Sequence, residues 1–86
     1  MTEQLPFSRE AEESVLGALL INPDALVRAT DIIGPEDFHD ERRGLIFKAI
    51  AAVDRVDSLT VSDWLESRGW LDKVGGPAYL TSLINA

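Results

Sequence analysis

Apolar side chains recur three and four residues apart along most of the chain, and Pro, Gly and capping residues separate the stretches that carry them. Because positions at this spacing share one face of a helix, the pattern predicts about five short helices. No stretch sustains the alternation of a half-buried strand, so the fold class is expected to be all-α. Its core is expected to contain Val15, Leu16, Leu19, Phe38, Ile46, Phe47, Ile50, Leu65, Leu80 and Leu83.

Capping residues and helix breakers place the helix boundaries. The segment 60–63, TVSD, matches a capping box, so Thr60 is the expected N-cap of the fourth helix. Asp40 is expected to cap the third helix, which should end near Asp54. The last helix is expected to begin at Pro77, since proline is tolerated at a first helical position.

Length and charge limit the architecture and the partners. The chain has 86 residues, below the roughly 150 residues typical of one domain. Ser8 is a plausible first N-cap, so 1–7 is expected to be an N-terminal tail and 8–86 one helical domain. Fifteen acidic against eight basic residues give a net charge of -7, the wrong sign for binding nucleic acid directly.

Targeting signals are not evident in the sequence. The first residues are polar and acidic, unlike the positive start and apolar stretch of an export signal. No apolar run approaches the roughly 18 residues of a membrane span. We therefore expect no membrane association, and the cytoplasm is the simplest location.

Motifs for catalysis or cofactor binding are missing as well. Gly75 and Gly76 are followed by Pro77, whereas a phosphate-binding loop needs Lys and Ser or Thr there. His39 is the single histidine and there is no cysteine, so we expect a surface or capping role for it and no metal set. The sequence predicts no catalytic, cofactor or metal residues.

The remaining charged and aromatic residues have ordinary structural interpretations. Acidic residues at 10, 12 and 13 suit the positive end of the first helix dipole. Arg42 and Arg43 are expected on a solvated helix face, with contact to an acidic partner as the alternative. Tyr79 fits either the core or a contact surface, since tyrosine is enriched at interfaces.

Several short blocks, in order, resemble the N-terminal domain of bacterial DnaB-type replicative helicases. The segment 11–17 reads AEESVLG, similar to the AEQSVLG of that family, and the later blocks are PEDF, LIF, LTV, LESRG and VGGPAYL. Each block is weak alone, but their order and spacing are specific. The family commonly has Gln where Glu13 stands, and often Pro and His within the stretch 40–43.

The resemblance implies a compact orthogonal bundle, the globular head of that domain. In the family, a C-terminal helical hairpin and a RecA-like ATPase domain follow this head, and we expect neither within this chain, so ATP and magnesium are expected only in the parent protein. The implied function is a non-catalytic assembly domain in DNA replication, which helps other helicase subunits form a hexameric collar and receives the helicase-binding domain of a DnaG-type primase. By position, Glu10 and Tyr79 are implied as protein contacts.

Other functions remain open at this point. The helicase-binding domain of a primase has a similar fold, although the double-glycine block argues against it. A helix-turn-helix DNA-binding module would read DNA with the helix at 60–69. That helix has two acidic residues, Asp63 and Glu66, against one basic residue, Arg68, which argues against DNA binding. An enzyme acting through His39 would have no nameable substrate. Without the hairpin, we expect the isolated head to be a monomer or weak dimer.

Overall fold

Five α-helices make up most of the chain in the computed structural model, which describes residues 9–85. The helices are α1 (Arg9–Ile21), α2 (Leu26–Ile32), α3 (Glu41–Ala52), α4 (Ser58–Ser67) and α5 (Gly76–Asn85). Single-turn 3-10 helices at Pro23–Ala25 and Pro35–Asp37 precede α2 and α3, and no strand occurs within 9–85. The all-α prediction is confirmed, whereas the tail at 1–7 and the Ser8 cap lie outside the described residues.

One apolar core lies between α1, α3, α4 and α5. Eight of the ten side chains expected there are buried, and Phe38 is half-buried against its edge. The Phe38 ring packs on Phe47 with centroids 5.4 Å apart. The buried eight are Leu16, Leu19, Ile46, Phe47, Ile50, Leu65, Leu80 and Leu83.

The buried face of α1 differs from the expected one. Val15 is 37% exposed, so its assignment to the core is wrong, whereas Leu16 is fully buried. The reason is Gly17, where α1 passes so close to the Leu83 carbonyl of α5 that a Cβ would collide with it. This crossing fixes the rotation of α1, and Val15 lies nearly on the opposite side of the helix from Gly17.

The helix starts show which capping residues compete best. Asp40 caps α3 as predicted, its Oδ1 accepting from the Arg42 backbone N–H at 2.8 Å. The N-cap of α4 is Asp57, whose Oδ1 accepts from the Thr60 backbone N–H at 2.8 Å. The prediction of Thr60 as the N-cap is therefore wrong: Thr60 is the third helical residue, and its hydroxyl accepts from the Asp57 N–H.

Other boundaries lie close to those expected. Gly69 follows α4 with φ of 75°, the left-handed conformation that favours glycine after a helix. Helix α3 ends at Ala52, earlier than expected, and α5 begins at Gly76, just before Pro77. The connections thus bring the first turns of α1, α3 and α5 within reach of each other's side chains.

Candidate functional site at the junction of α1, α3 and α5

Tyr79 in the first turn of α5 reaches across to α1. Its hydroxyl donates to Glu13 Oε2 at 2.6 Å, and Arg9 Nε donates to the same oxygen at 3.3 Å. The hydrogen bond from Tyr79 is the main cause that lowers the pKa of Glu13, and Arg9 lowers it further. Burial acts in the opposite direction but is outweighed. Glu13 therefore remains a carboxylate and joins the two helices.

Arg43 is a buried cation at the start of α3, only 7% exposed. Its Nε donates to Glu12 Oε1 at 2.7 Å, and Glu12 Oε2 accepts from the His39 backbone N–H, also at 2.7 Å. Burial alone disfavours the guanidinium charge, but Glu12 and Tyr79 outweigh it and raise the pKa of Arg43. The expectation that Arg43 lies on a solvated face is wrong, since Glu12 compensates its charge inside the fold.

Asp40 extends this polar cluster to the surface. Arg42 binds it in a fork, with Nε to Oδ1 at 3.0 Å and Nη2 to Oδ2 at 2.7 Å. Arg43 Nη1 lies 3.7 Å from Asp40 Oδ2. The bond from Arg42 is the main cause that holds the pKa of Asp40 far below its usual range. Arg42 is therefore anchored in its exposed position by the cap of its own helix.

These side chains surround an open cleft of about 480 Å³ between the three helices. Burial and the Glu13 carboxylate raise the pKa of Tyr79, while the Arg43 guanidinium opposes them. The hydroxyl therefore stays protonated at neutral pH and acts as a donor. The cleft is lined by Arg9, Glu13, Asp40, Arg42, Arg43, Val74, Gly75 and Tyr79.

The chemistry of the cluster is that of a structural junction between helices. The pKa values of Glu12, Glu13 and Asp40 are all lowered, away from the neutral range that favours general acid–base catalysis. Within residues 9–85, no three His, Cys, Asp or Glu side chains are grouped so that they could hold a metal ion. Over the same range, no helix is both long and apolar enough to cross a membrane.

The two residues that the family resemblance implies as protein contacts lie on adjoining helices. Glu10 is exposed in the first turn of α1, and Tyr79 is half-buried in the first turn of α5. Glu13, the partner of Tyr79, lies about one turn beyond Glu10 on the same helix. The structure thus places Glu10 and Tyr79 at the same end of the α1–α5 pair.

The sequence interpretation missed the roles of Glu12, Glu13 and Arg43 in this junction. A signal was available, because Arg43 lies three, four and seven residues before the buried Ile46, Phe47 and Ile50. A charged residue in register with a core face is a candidate for a buried ion pair. Spacing alone does not identify its partner, which comes from another helix.

The exposed surface of α4 has a different character. Arg68 stacks its guanidinium over the Trp64 ring, 4.2 Å from the centroid. The Trp64 and Trp70 rings meet nearly edge to face with centroids 5.9 Å apart. Since Asp63 and Glu66 are exposed on α4, this helix presents acidic groups, which a DNA backbone repels.

Comparison with known proteins gives a consistent result across the chain. The family described as the DnaB-like helicase N terminal domain matches residues 4–86. The replicative DNA helicase DnaB of Rhodothermus marinus is 43% identical over 82 residues, covering 91% of this chain and 9% of that protein. The replicative DNA helicase DnaB of Geobacillus stearothermophilus is 44% identical over 85 residues, covering 94% of this chain and 19% of that protein.

A solved structure extends the similarity to the fold. The N-terminal domain of DnaB helicase from Mycobacterium tuberculosis superposes with a TM-score of 0.89 at 34% sequence identity. The alignment covers 95% of this chain and 62% of that one. The chain therefore spans a minor part of the two helicases above and most of the solved domain.

Proposed function

Because the chain belongs to the family of DnaB-like helicase N-terminal domains, we propose that it docks a primase and joins helicase subunits into a hexameric collar during DNA replication. The N-terminal domain of DnaB is a non-catalytic domain of a replicative helicase, and such a domain implies oligomeric assembly. The finer roles, collar formation and primase docking, are proposals for this chain.

The observation that carries the docking role is the joined end of α1 and α5. The Tyr79–Glu13 hydrogen bond joins the first turn of α5 to the second turn of α1, and exposed Glu10 lies in the turn of α1 before Glu13. A surface built on two packed helices is more rigid than a loop, so less ordering is required when a partner binds. We therefore propose Glu10 and Tyr79 as contacts for the helicase-binding domain of a DnaG-type primase.

The remaining parts of the function follow from the domain type. We propose that this head needs no cofactor, and that ATP and magnesium are bound by the ATPase domain of the parent helicase. We also propose that the protein works in the cytoplasm and contacts protein partners without binding nucleic acid or membrane directly. The net charge of -7 supports this, because a phosphate-binding surface requires excess positive charge.

Titration calorimetry of this chain with the C-terminal domain of the cognate primase tests the proposal. We expect a complex, and we expect Glu10→Ala and Tyr79→Ala each to weaken it by about tenfold, which corresponds to about 1.4 kcal/mol. Glu66→Ala on α4 removes the same charge away from the junction and is the matched control. Circular dichroism confirms that each variant keeps its helices.

The outcomes separate the docking role from its location. If the unsubstituted chain forms no complex with the primase domain at high micromolar concentration, primase docking by this head is contradicted. If Glu66→Ala weakens the complex as much as Glu10→Ala does, the placement of the contact at the α1–α5 junction is contradicted. Light scattering of the chain alone addresses subunit assembly, for which we expect a monomer or weak dimer.

A further inference from the structure

Helix α1 has a second apolar face that the rest of residues 9–85 leaves unburied. Ala11, Val15 and Ala18 follow one another at helical spacing, four and three residues apart, on the side away from the core. Ala11 and Ala18 are exposed, and Val15 exposes 37% of its surface. A helix with apolar stripes on two sides can pack one stripe on its own core. The other stripe is then available to pack on another molecule.

This outer face forms one wall of a small groove. Ile33, the C-cap of α2, and Phe38, which precedes α3, lie opposite Ala11 and Val15 across a space of about 180 Å³. Phe38 rests on the buried Phe47 ring, so the groove has a firm base. Since apolar cavities of about 150 Å³ are large enough to bind benzene, one aromatic or branched side chain fits this space.

The charges around the groove have a single sign. Among the described residues, the charged ones that line it are Glu12 and Asp37, and none is basic. Glu12 is occupied by Arg43 and the His39 backbone. Asp37 is exposed, and its Oδ2 accepts from the Gly34 N–H at 2.8 Å, which leaves its other oxygen available to an incoming cation. The chain around it carries a net charge of -7.

We propose that this groove, lined by Ala11, Val15, Ile33 and Phe38, receives an aromatic or branched apolar side chain from a basic helical segment of the docked partner. The apolar side chain fills the groove and a neighbouring Lys or Arg pairs with Asp37. The assignment of that segment to a primase rests on the proposed function. The chemistry of the groove itself, an apolar group next to a cation, does not.

Small probes test the groove without any protein partner. Phenethylammonium carries a phenyl ring and a cation, and phenylacetate carries a similar ring with an anion. In titrations followed by ¹⁵N and methyl NMR, we expect phenethylammonium to shift the signals of Val15, Ile33 and Phe38 with a Kd of about 1 mM, the affinity range of a small fragment. Phenylacetate is expected to bind at least about fivefold more weakly, because like charges repel.

Variants show whether the probe occupies the groove. Val15→Lys places a cation at its mouth, and we expect the phenethylammonium shifts to lose saturation. Val27→Lys makes the same change at an exposed position on α2 and is expected to leave binding unchanged. Ala11→Lys gives a second test on the groove wall. Equal binding by the parent and Val15→Lys, or no saturable shift at Val15, Ile33 and Phe38, would overturn the groove as a binding site.

Primase binding by the same variants tests whether a primase segment fills the groove. We expect Val15→Lys to weaken the complex with the primase C-terminal domain about tenfold or more, with Val27→Lys as the control. If the unsubstituted chain binds primase, and Val15→Lys and Val27→Lys bind it with the same affinity as the unsubstituted chain, the partner assignment is overturned. If the unsubstituted chain binds phenethylammonium but does not bind primase, the proposed function fails and the groove chemistry stands.

Discussion

The Tyr79 hydroxyl lies 2.6 Å from Glu13 Oε2, although the two residues are 66 positions apart in the sequence. This hydrogen bond joins the first described helix to the last. It places the tyrosine ring at the cleft where α1, α3 and α5 meet. The long separation means that the bond depends on the tertiary packing of α1 against α5.

Removing the Tyr79 hydroxyl should change the titration of Glu13. Tyr79→Phe keeps the ring and deletes the donor that contributes most to lowering the pKa of Glu13. We therefore expect that pKa to rise toward its ordinary value of 4.5, and we expect stability to fall by about 1 kcal/mol. Carbon-detected NMR of the Glu13 carboxyl and urea unfolding measure the two effects. An unchanged Glu13 pKa would contradict the bond.

The Arg43–Glu12 pair should show strong coupling in a double-mutant cycle. Arg43→Met leaves the Glu12 carboxylate largely buried without its cation, so we expect a loss of about 2 kcal/mol. Glu12→Gln in the same chain removes the unpaired charge and should recover part of this loss. A coupling energy above about 1 kcal/mol by urea unfolding confirms the pair. Additive losses would mean that the two side chains act independently.

Acid should destabilise the domain through this same cluster. The folded pKa values of Glu12, Glu13 and Asp40 are lowered, so protons bind these groups more weakly in the folded than in the unfolded state. Their stabilisation is complete above the ordinary values of 4.5 and 3.8 and is lost as the pH falls through the folded values. Thermal unfolding between pH 7 and pH 2.5 measures this slope. The double variant Glu12→Gln, Glu13→Gln is expected to show a shallower slope.

Enlarging Gly17 should separate α1 from α5. Alanine favours helices over glycine by about 1 kcal/mol, but its Cβ would collide with the Leu83 carbonyl. We expect Gly17→Ala to cost about 1–3 kcal/mol, as overpacking of a tight contact does. Ser14→Ala, an exposed substitution on the same helix, is the control and should be neutral or slightly stabilising. Equal or greater stability for Gly17→Ala would mean that the helices move apart at little cost.

The sequence predicts the helices well because their signals are local. Asp40 and Gly69 act within a few residues of their helix ends, and Asp40 is the N-cap that the sequence predicts. The N-cap of α4 was missed because Asp57 and Thr60 both offer capping oxygens, and Asp57 makes the stronger, charged cap. Local chemistry therefore determines the helix, while the competition between caps determines its first residue.

The site is less predictable because it depends on contacts between helices. Glu13 and Arg43 each have an ordinary local interpretation, one at a helix dipole and one in solvent. Their true partners, Tyr79 and Glu12, lie on other helices. Val15 fails for a related reason, since the close crossing at Gly17 decides which of two apolar faces of α1 is buried.

The pairing of Trp64 with Trp70 separates two optical signals within one small protein. Both tryptophans of the chain lie at the α4 end next to each other, and the Arg68 guanidinium lies over the Trp64 ring. The single tyrosine lies at the α1–α5 junction. Tryptophan emission therefore reports on the α4 end of the fold, and the tyrosine band of a difference absorbance spectrum reports on the junction. Unfolding and partner binding can be followed in the same sample without an added dye.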